Sequence, residues 1–170
     1  MKTILIIEDE AALQDALKKV FTAEGYEVMQ GFDGEEGIAL AKQKKPDLVL
    51  LDLVLPKKHG FEVLQDMKQD ENLKAVPVLV LTNLEESEEV MKAIELGADM
   101  IELDVHVCKS GELVVIHDDT LERTTNGKGK VSDMALAELK ELYAGKGQRI
   151  PTLDEVLDLV DRRVRINIEL

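Results

Sequence analysis

One cysteine, Cys108, stands in 170 residues. That excludes an internal disulfide and a cysteine-based zinc site. No apolar run is long enough to cross a bilayer. Basic residues are in the minority, with 21 Lys and Arg against 35 Asp and Glu, for a formal net charge of −14. A chain so short of clustered Lys and Arg is poorly suited to nucleic acid and to an anionic membrane surface. It favours cations or basic partners instead. The opening MKTILIIEDE passes from a short apolar run straight into acids, which reads as a strand and not as a signal peptide. With 45% hydrophobic residues, the chain fits one compact domain or two incomplete ones. The expectation is a soluble, cytoplasmic α/β protein.

The first 97 residues alternate strand and helix patterns. Lys2–Ile7 is a continuous apolar run, as expected for a strand buried on both faces. Ala11–Ala23 sets Leu13, Leu17, Val20 and Phe21 at helical spacing, and Gly25 stops that helix. Strands are predicted over 26–30, 47–54 and 76–81, and helices over 34–44, 61–69 and 85–96, the last ended by Gly97. Four such units predict a parallel sheet with right-handed crossovers.

After Gly97 the texture changes. Met100–Val107 alternates, with Glu102 and Asp104 on one face and Ile101, Leu103 and Val105 on the other. A turn at 109–111 and a strand over 112–117 predict a hairpin. Residues 120–130 read as a polar loop. Ser132 is placed to cap a helix over 133–143, and Thr152 with Glu155 forms a capping box for a helix to about Arg162. Arg165–Leu170 is a last strand. The chain stops inside it, which suggests a truncated or assembled sequence.

Parallel α/β sheets place their sites at the carboxyl ends of the strands. Those ends carry Glu8, Asp9, Asp52 and Thr82. Three carboxylates there can hold a hard cation such as Mg²⁺, and a carboxylate beside it can act as a nucleophile toward a phosphoryl donor. Solvated loop acids are the bland alternative.

IIEDE at 6–10, DLVLLDLVLP at 47–56 and VLVLTN at 78–83 resemble the receiver domain of bacterial response regulators. The resemblance implies a flavodoxin-like sheet of strand order 2-1-3-4-5. It implies Glu8 and Asp9 as metal-binding acids, Asp52 as phosphoacceptor and metal ligand, the Val54 main chain as a further ligand, and Thr82 as the switch residue. It also implies a histidine kinase as partner. The family's fifth-strand lysine position holds Asp104 here. At ~6 Å and an effective dielectric near 20, a like charge there costs about 3 kcal/mol. The four acids are therefore expected to raise one another's pKa.

The run GADMIELDVHVCKSGELVVIHDDTLERTTNGKG at 97–129, with IPTLDEVLDLV at 150–160 and INIEL at 166–170, resembles the glycerophosphodiester phosphodiesterases. These are metal-dependent (βα)₈ barrels. The resemblance implies Glu102, Asp104 and Glu169 as metal ligands and His117 as catalytic acid/base, with Mg²⁺, Ca²⁺ or Mn²⁺ as the ion. The family's His-Arg pair has no counterpart in this sequence. Cys108 reads as a small packed side chain, His59 as a surface histidine, and Arg123 with Thr124 and Thr125 as an ordinary polar loop.

The expected arrangement is a receiver-like segment at 1–97 and a half-barrel segment at 98–170, packed as one domain. The hairpin, helices and last strand would extend the sheet, with a partial or closed barrel as the alternative. An open last strand makes a homodimer plausible. The favoured reading is an engineered or recombined chimera with no physiological activity of its own, retaining a receiver-like cation pocket around Asp52. A phosphoacceptor module and an impaired phosphodiesterase are the alternatives.

Overall fold

The computed structural model describes residues 1–81, 87–144 and 148–170. Thr82 and the expected start of the fourth helix lie outside them. The chain divides into two compact units, Met1–Thr82 with Ala93–Ile101, and Asn83–Lys92 with Glu102–Leu170.

The first unit alternates β1 (Thr3–Ile7), α1 (Ala11–Ala23), β2 (Glu27–Gly31), α2 (Gly34–Lys44), β3 (Leu48–Asp52), α3 (Gly60–Gln69) and β4 (Val78–Leu81). Met100 and Ile101 open β5 (Met100–Val107) and pair with Leu79 and Val80. All pairs are parallel, in the expected order β2-β1-β3-β4-β5. Leu5, Ile6, Ile7, Val49 and Leu51 are buried, as their continuous apolar runs require.

α1 spans Ala11–Ala23 as expected. Leu17 and Phe21 pack on Ile4, Ile6 and Leu50, but Leu13 and Val20 are 41% and 58% exposed. The one fully buried residue of α1 is polar, Gln14. Gly25 and Gly97 stop their helices as expected, with φ of 85° and 89°.

α4 (Ser87–Glu95) leads toward β5, whose residues from Glu102 onward belong to the second unit. There β5 pairs antiparallel with β6 (Leu113–Val115), and β7 (Arg165–Glu169) also pairs with β5. The hairpin is as expected, with a shorter second strand; the Val115 N–H donates to the Pro151 carbonyl at 2.9 Å and the Ile116 N–H to the Asp104 carbonyl at 3.1 Å.

The expected helix over 133–143 does not form. A 3₁₀ turn at Val131–Asp133 is followed by extended Met134 and Ala135 and by one short helix, α5 (Leu136–Leu139). Ser132 lies inside the 3₁₀ turn and caps nothing. The break brings Val131 and Leu139 into one cluster with Cys108, Val114, Ile116 and Leu121. Burial of that cluster overrides local helix preference. α6 (Leu153–Val160) starts as predicted, Thr152 Oγ1 accepting the Glu155 N–H at 3.2 Å. It ends early because Asp161 and Arg162 both turn to positive φ.

Candidate functional sites

The first site lies at the carboxyl ends of β1 and β3. Glu8 is buried, Asp52 half-buried and Asp9 exposed. One carboxylate oxygen from each lies within 4.8 Å of the others. Glu8 Oε1 accepts the Glu10 N–H at 3.0 Å, and Asp52 Oδ1 accepts the Val54 N–H at 3.2 Å. Burial pushes the Glu8 carboxyl up; the Glu10 N–H opposes this, and the Asp52 and Asp9 charges add to it. Burial likewise raises Asp52, against the N–H groups of Val54 and Leu53. Three hard oxygen donors crowded in this way fit a divalent cation, which would offset their mutual repulsion.

The loop after β3 is held by contacts that sequence reading missed. His59 is not merely a surface residue: it caps α3, its Nδ1 accepting the Phe61 N–H at 3.3 Å, while Glu62 reaches back to the His59 N–H at 3.2 Å. A side chain at Gly60 would stand 2.3 Å from the Asp52 carbonyl oxygen. Gln14 reaches three carbonyls, of Ile6, Glu8 and Gly31, at 3.2, 3.1 and 2.8 Å. The glutamine gave no sequence signal, since a polar residue in a helix ordinarily faces water.

The second site lies on β5 and β7. Glu102 and Asp104 alternate with buried Ile101, Leu103 and Val105, and Glu169 comes from β7. One carboxylate oxygen from each again lies within 4.8 Å of the others. Burial, then Asp104 and Glu169, push the Glu102 carboxyl up to about 7, while His117 opposes them. Burial also raises Asp104. The charges acting most strongly on Asp104 are those of His117, Glu169, His106 and Asp118. Asp104 thus stands with Glu102 and Glu169 in the second site. This donor set fits a divalent cation on the same grounds.

His117 Nδ1 lies 2.6 Å from Asp118 Oδ1, and Arg123 Nε donates to Asp118 Oδ2 at 2.5 Å. Arg123 and then His117 hold the Asp118 carboxyl down at about 2. Arg123 is thus an ion-pair partner in an ordered loop. The acid five residues before it is the signal that could have found this pair. Cys108 is buried as expected, its thiol donating to the Glu112 carboxylate at 3.2 Å.

The chain thus carries a parallel α/β unit with an acidic cluster at its strand ends, and a second acidic cluster on β5 and β7. The family model of the response regulator receiver domain matches residues 4–102, and that of the glycerophosphoryl diester phosphodiesterase family matches residues 82–170. The chain belongs to both families, as a chimera would. A glycerophosphodiester phosphodiesterase of Caldanaerobacter subterraneus is 54% identical over 87 residues, 46% of this chain and 36% of that protein. The DNA-binding dual master transcriptional regulator RpaA of Synechocystis is 43% identical over 99 residues, 58% of this chain and 41% of that protein. The chain thus spans well under half the length of these relatives. Among solved structures, the Mn²⁺-bound response regulator Rcp1 is 34% identical with a TM-score of 0.56, covering 59% of this chain and 79% of its own. The phosphorylated cyanobacterial phytochrome response regulator RcpA is 33% identical, TM-score 0.56, covering 59% and 78%.

Proposed function

We propose that this recombined chain works as a receiver-like phosphoacceptor, with Asp52 accepting a phosphoryl group in a divalent-cation pocket. The observation that carries the reading is the convergence of Glu8, Asp9 and Asp52 at two adjacent strand ends. Glu8, Asp9, Asp52 and the Val54 main chain would hold Mg²⁺ or Mn²⁺. When bound, the cation supplies charge neutralisation for the carboxylates and for a phosphoryl oxygen. The Val54 N–H fixes Asp52 Oδ1. A carboxylate oxygen of Asp52 attacks phosphorus. An O–P bond forms, the bond from phosphorus to the donor breaks, and its electron pair leaves with the donor. A histidine kinase is the donor class the receiver family suggests, in a cytoplasmic setting. Thr82 is the residue that would turn toward the new phosphoryl group.

Intact mass after incubation with a small-molecule phosphodonor and Mg²⁺ tests this. A phosphoryl adduct on the wild-type chain and none on Asp52→Asn is expected. No adduct on the folded wild type would overturn it.

The second site favours a second reading, a metal-dependent phosphodiesterase. Glu102, Asp104 and Glu169 would hold the ion, and His117 would move the proton of the leaving alkoxide. Asp118 steadies the imidazole at Nδ1. Release of alcohol from a glycerophosphodiester with Mg²⁺, Mn²⁺ or Ca²⁺, lost in His117→Ala, would support it. No release with any of the three would remove it.

A further inference from the structure

The last strand, β7, reads Arg165-Ile166-Asn167-Ile168-Glu169. Among the described residues it pairs with β5 and with no other strand. Four of its five residues are exposed, Ile168 by 42%. An edge of this kind offers unpaired N–H and C=O groups to another strand. Its sequence is also complementary to itself. Laid antiparallel on a second copy with the two-fold axis at Asn167, the strand sets Arg165 opposite Glu169, twice. It also sets Ile166 opposite Ile168, twice, and Asn167 opposite itself. No charge meets a like charge, and opposed residues stand on the same sheet face.

That face is the one bearing the second acid site. Residues 165, 167 and 169 share one side of β7, and Glu169 lies there with Glu102 and Asp104. Arg165 is exposed and forms no ion pair with any described residue of its own chain. We infer that two copies of this chain pair antiparallel through β7 about Asn167, and that Arg165 of the second copy stands beside Glu169 at the rim of the acid site. The guanidinium brings a fixed positive charge to three crowded carboxylates. The inference goes beyond the proposed activities and depends on neither of them.

Sedimentation velocity of the 170-residue chain from micromolar to about 200 µM reads the pairing. A dimer is expected for the wild type. Arg165→Glu and Glu169→Arg, each checked for native circular dichroism, set like charges across the axis twice. Each is expected to weaken the dimer at least about tenfold. Mixed in equal amounts, these two variants become complementary and should form a heterodimer as stable as the wild-type dimer. Asn167→Cys in a Cys108→Ala background should cross-link under mild oxidation, since facing Cα atoms about 4.5–5.5 Å apart suit a disulfide. Arg165→Cys in that background should not. A monomeric wild type, single variants as dimeric as wild type, a mixture that stays monomeric, or no Asn167→Cys cross-link would each overturn the inference. None of these readouts depends on phosphoryl transfer or hydrolysis.

Discussion

The side-chain amide of Gln14 donates to the main-chain carbonyl of Glu8 at 3.1 Å, from a position with no exposure at all. Through the same nitrogen it reaches the Gly31 and Ile6 carbonyls. The carboxyl end of β1 is thereby tied to that of β2, and Glu8 is set at the rim of the first site. Gln14→Leu keeps the volume but strips the amide donor from the buried Ile6 and Glu8 carbonyls, while the Gly31 carbonyl keeps the Glu8 N–H at 3.1 Å. Each such orphan costs about 1–3 kcal/mol. A loss of at least about 2 kcal/mol in urea unfolding is expected. A smaller change would mean that water replaces the amide.

Both acid sites predict stabilisation by cations. A ligand that binds only the folded chain at 100 times its Kd adds about 2.7 kcal/mol. Mg²⁺ or Mn²⁺ should raise Tm in thermal scans. Asp52→Asn should remove the part due to the first site, and Asp104→Asn the part due to the second. An unchanged Tm in the wild type up to 20 mM of either ion, a concentration of order 100 Kd for a sub-millimolar site, would contradict the cation reading of both.

Two acids predict opposite pH dependences. Glu102 holds its proton more tightly in the fold, at about 7 against an ordinary 4.5. Its ionisation therefore destabilises the fold progressively as pH rises from about 4.5 to 7, and the deficit persists above that. Glu102→Gln should gain about 1–2 kcal/mol at pH 8, discounted for its half-exposure, and little at pH 4. Asp118 is held at about 2 against 3.8. Its contribution is complete above 3.8 and is lost as pH falls toward 2. Asp118→Asn should therefore lose stability at pH 6 but not at pH 2. Urea midpoints at these pH values read both signs.

Gly60 predicts a steric effect on the phosphoacceptor loop. A methyl group there meets the Asp52 carbonyl oxygen at 2.3 Å and Leu53 Cα at 2.5 Å, both backbone atoms that cannot swing aside. Gly60→Ala should cost about 1–3 kcal/mol and should slow or abolish adduct formation at Asp52. A variant as stable as wild type would show that the loop shifts freely.

What the sequence made legible was local. The apolar run of β1 and the glycines after α1 and α4 carry their meaning in a few neighbouring residues. The strand-end rule alone brought out Glu8, Asp9 and Asp52. Glu169 entered only through family resemblance, since no pattern within the chain links it to Glu102 sixty-odd residues earlier. What escaped was decided by tertiary contact. Residues 133–143 carry helix-forming side chains, yet the demand that Val131 and Leu139 share one cluster breaks the helix. Asp118 looked like any loop acid until the chain brought Arg123 back onto it.

Cys108 gives the second unit a built-in gauge of local opening. Its thiol is 3% exposed and bonded to Glu112 within the hairpin. A thiol reagent added to the native chain can react only during moments when that segment opens. The ratio of the unfolded-state rate to the native rate is then the inverse of the open fraction, and it converts directly to a free energy of opening. A single sulfur atom thus reports the free energy of opening of the hairpin that carries Asp104, without any assay of activity.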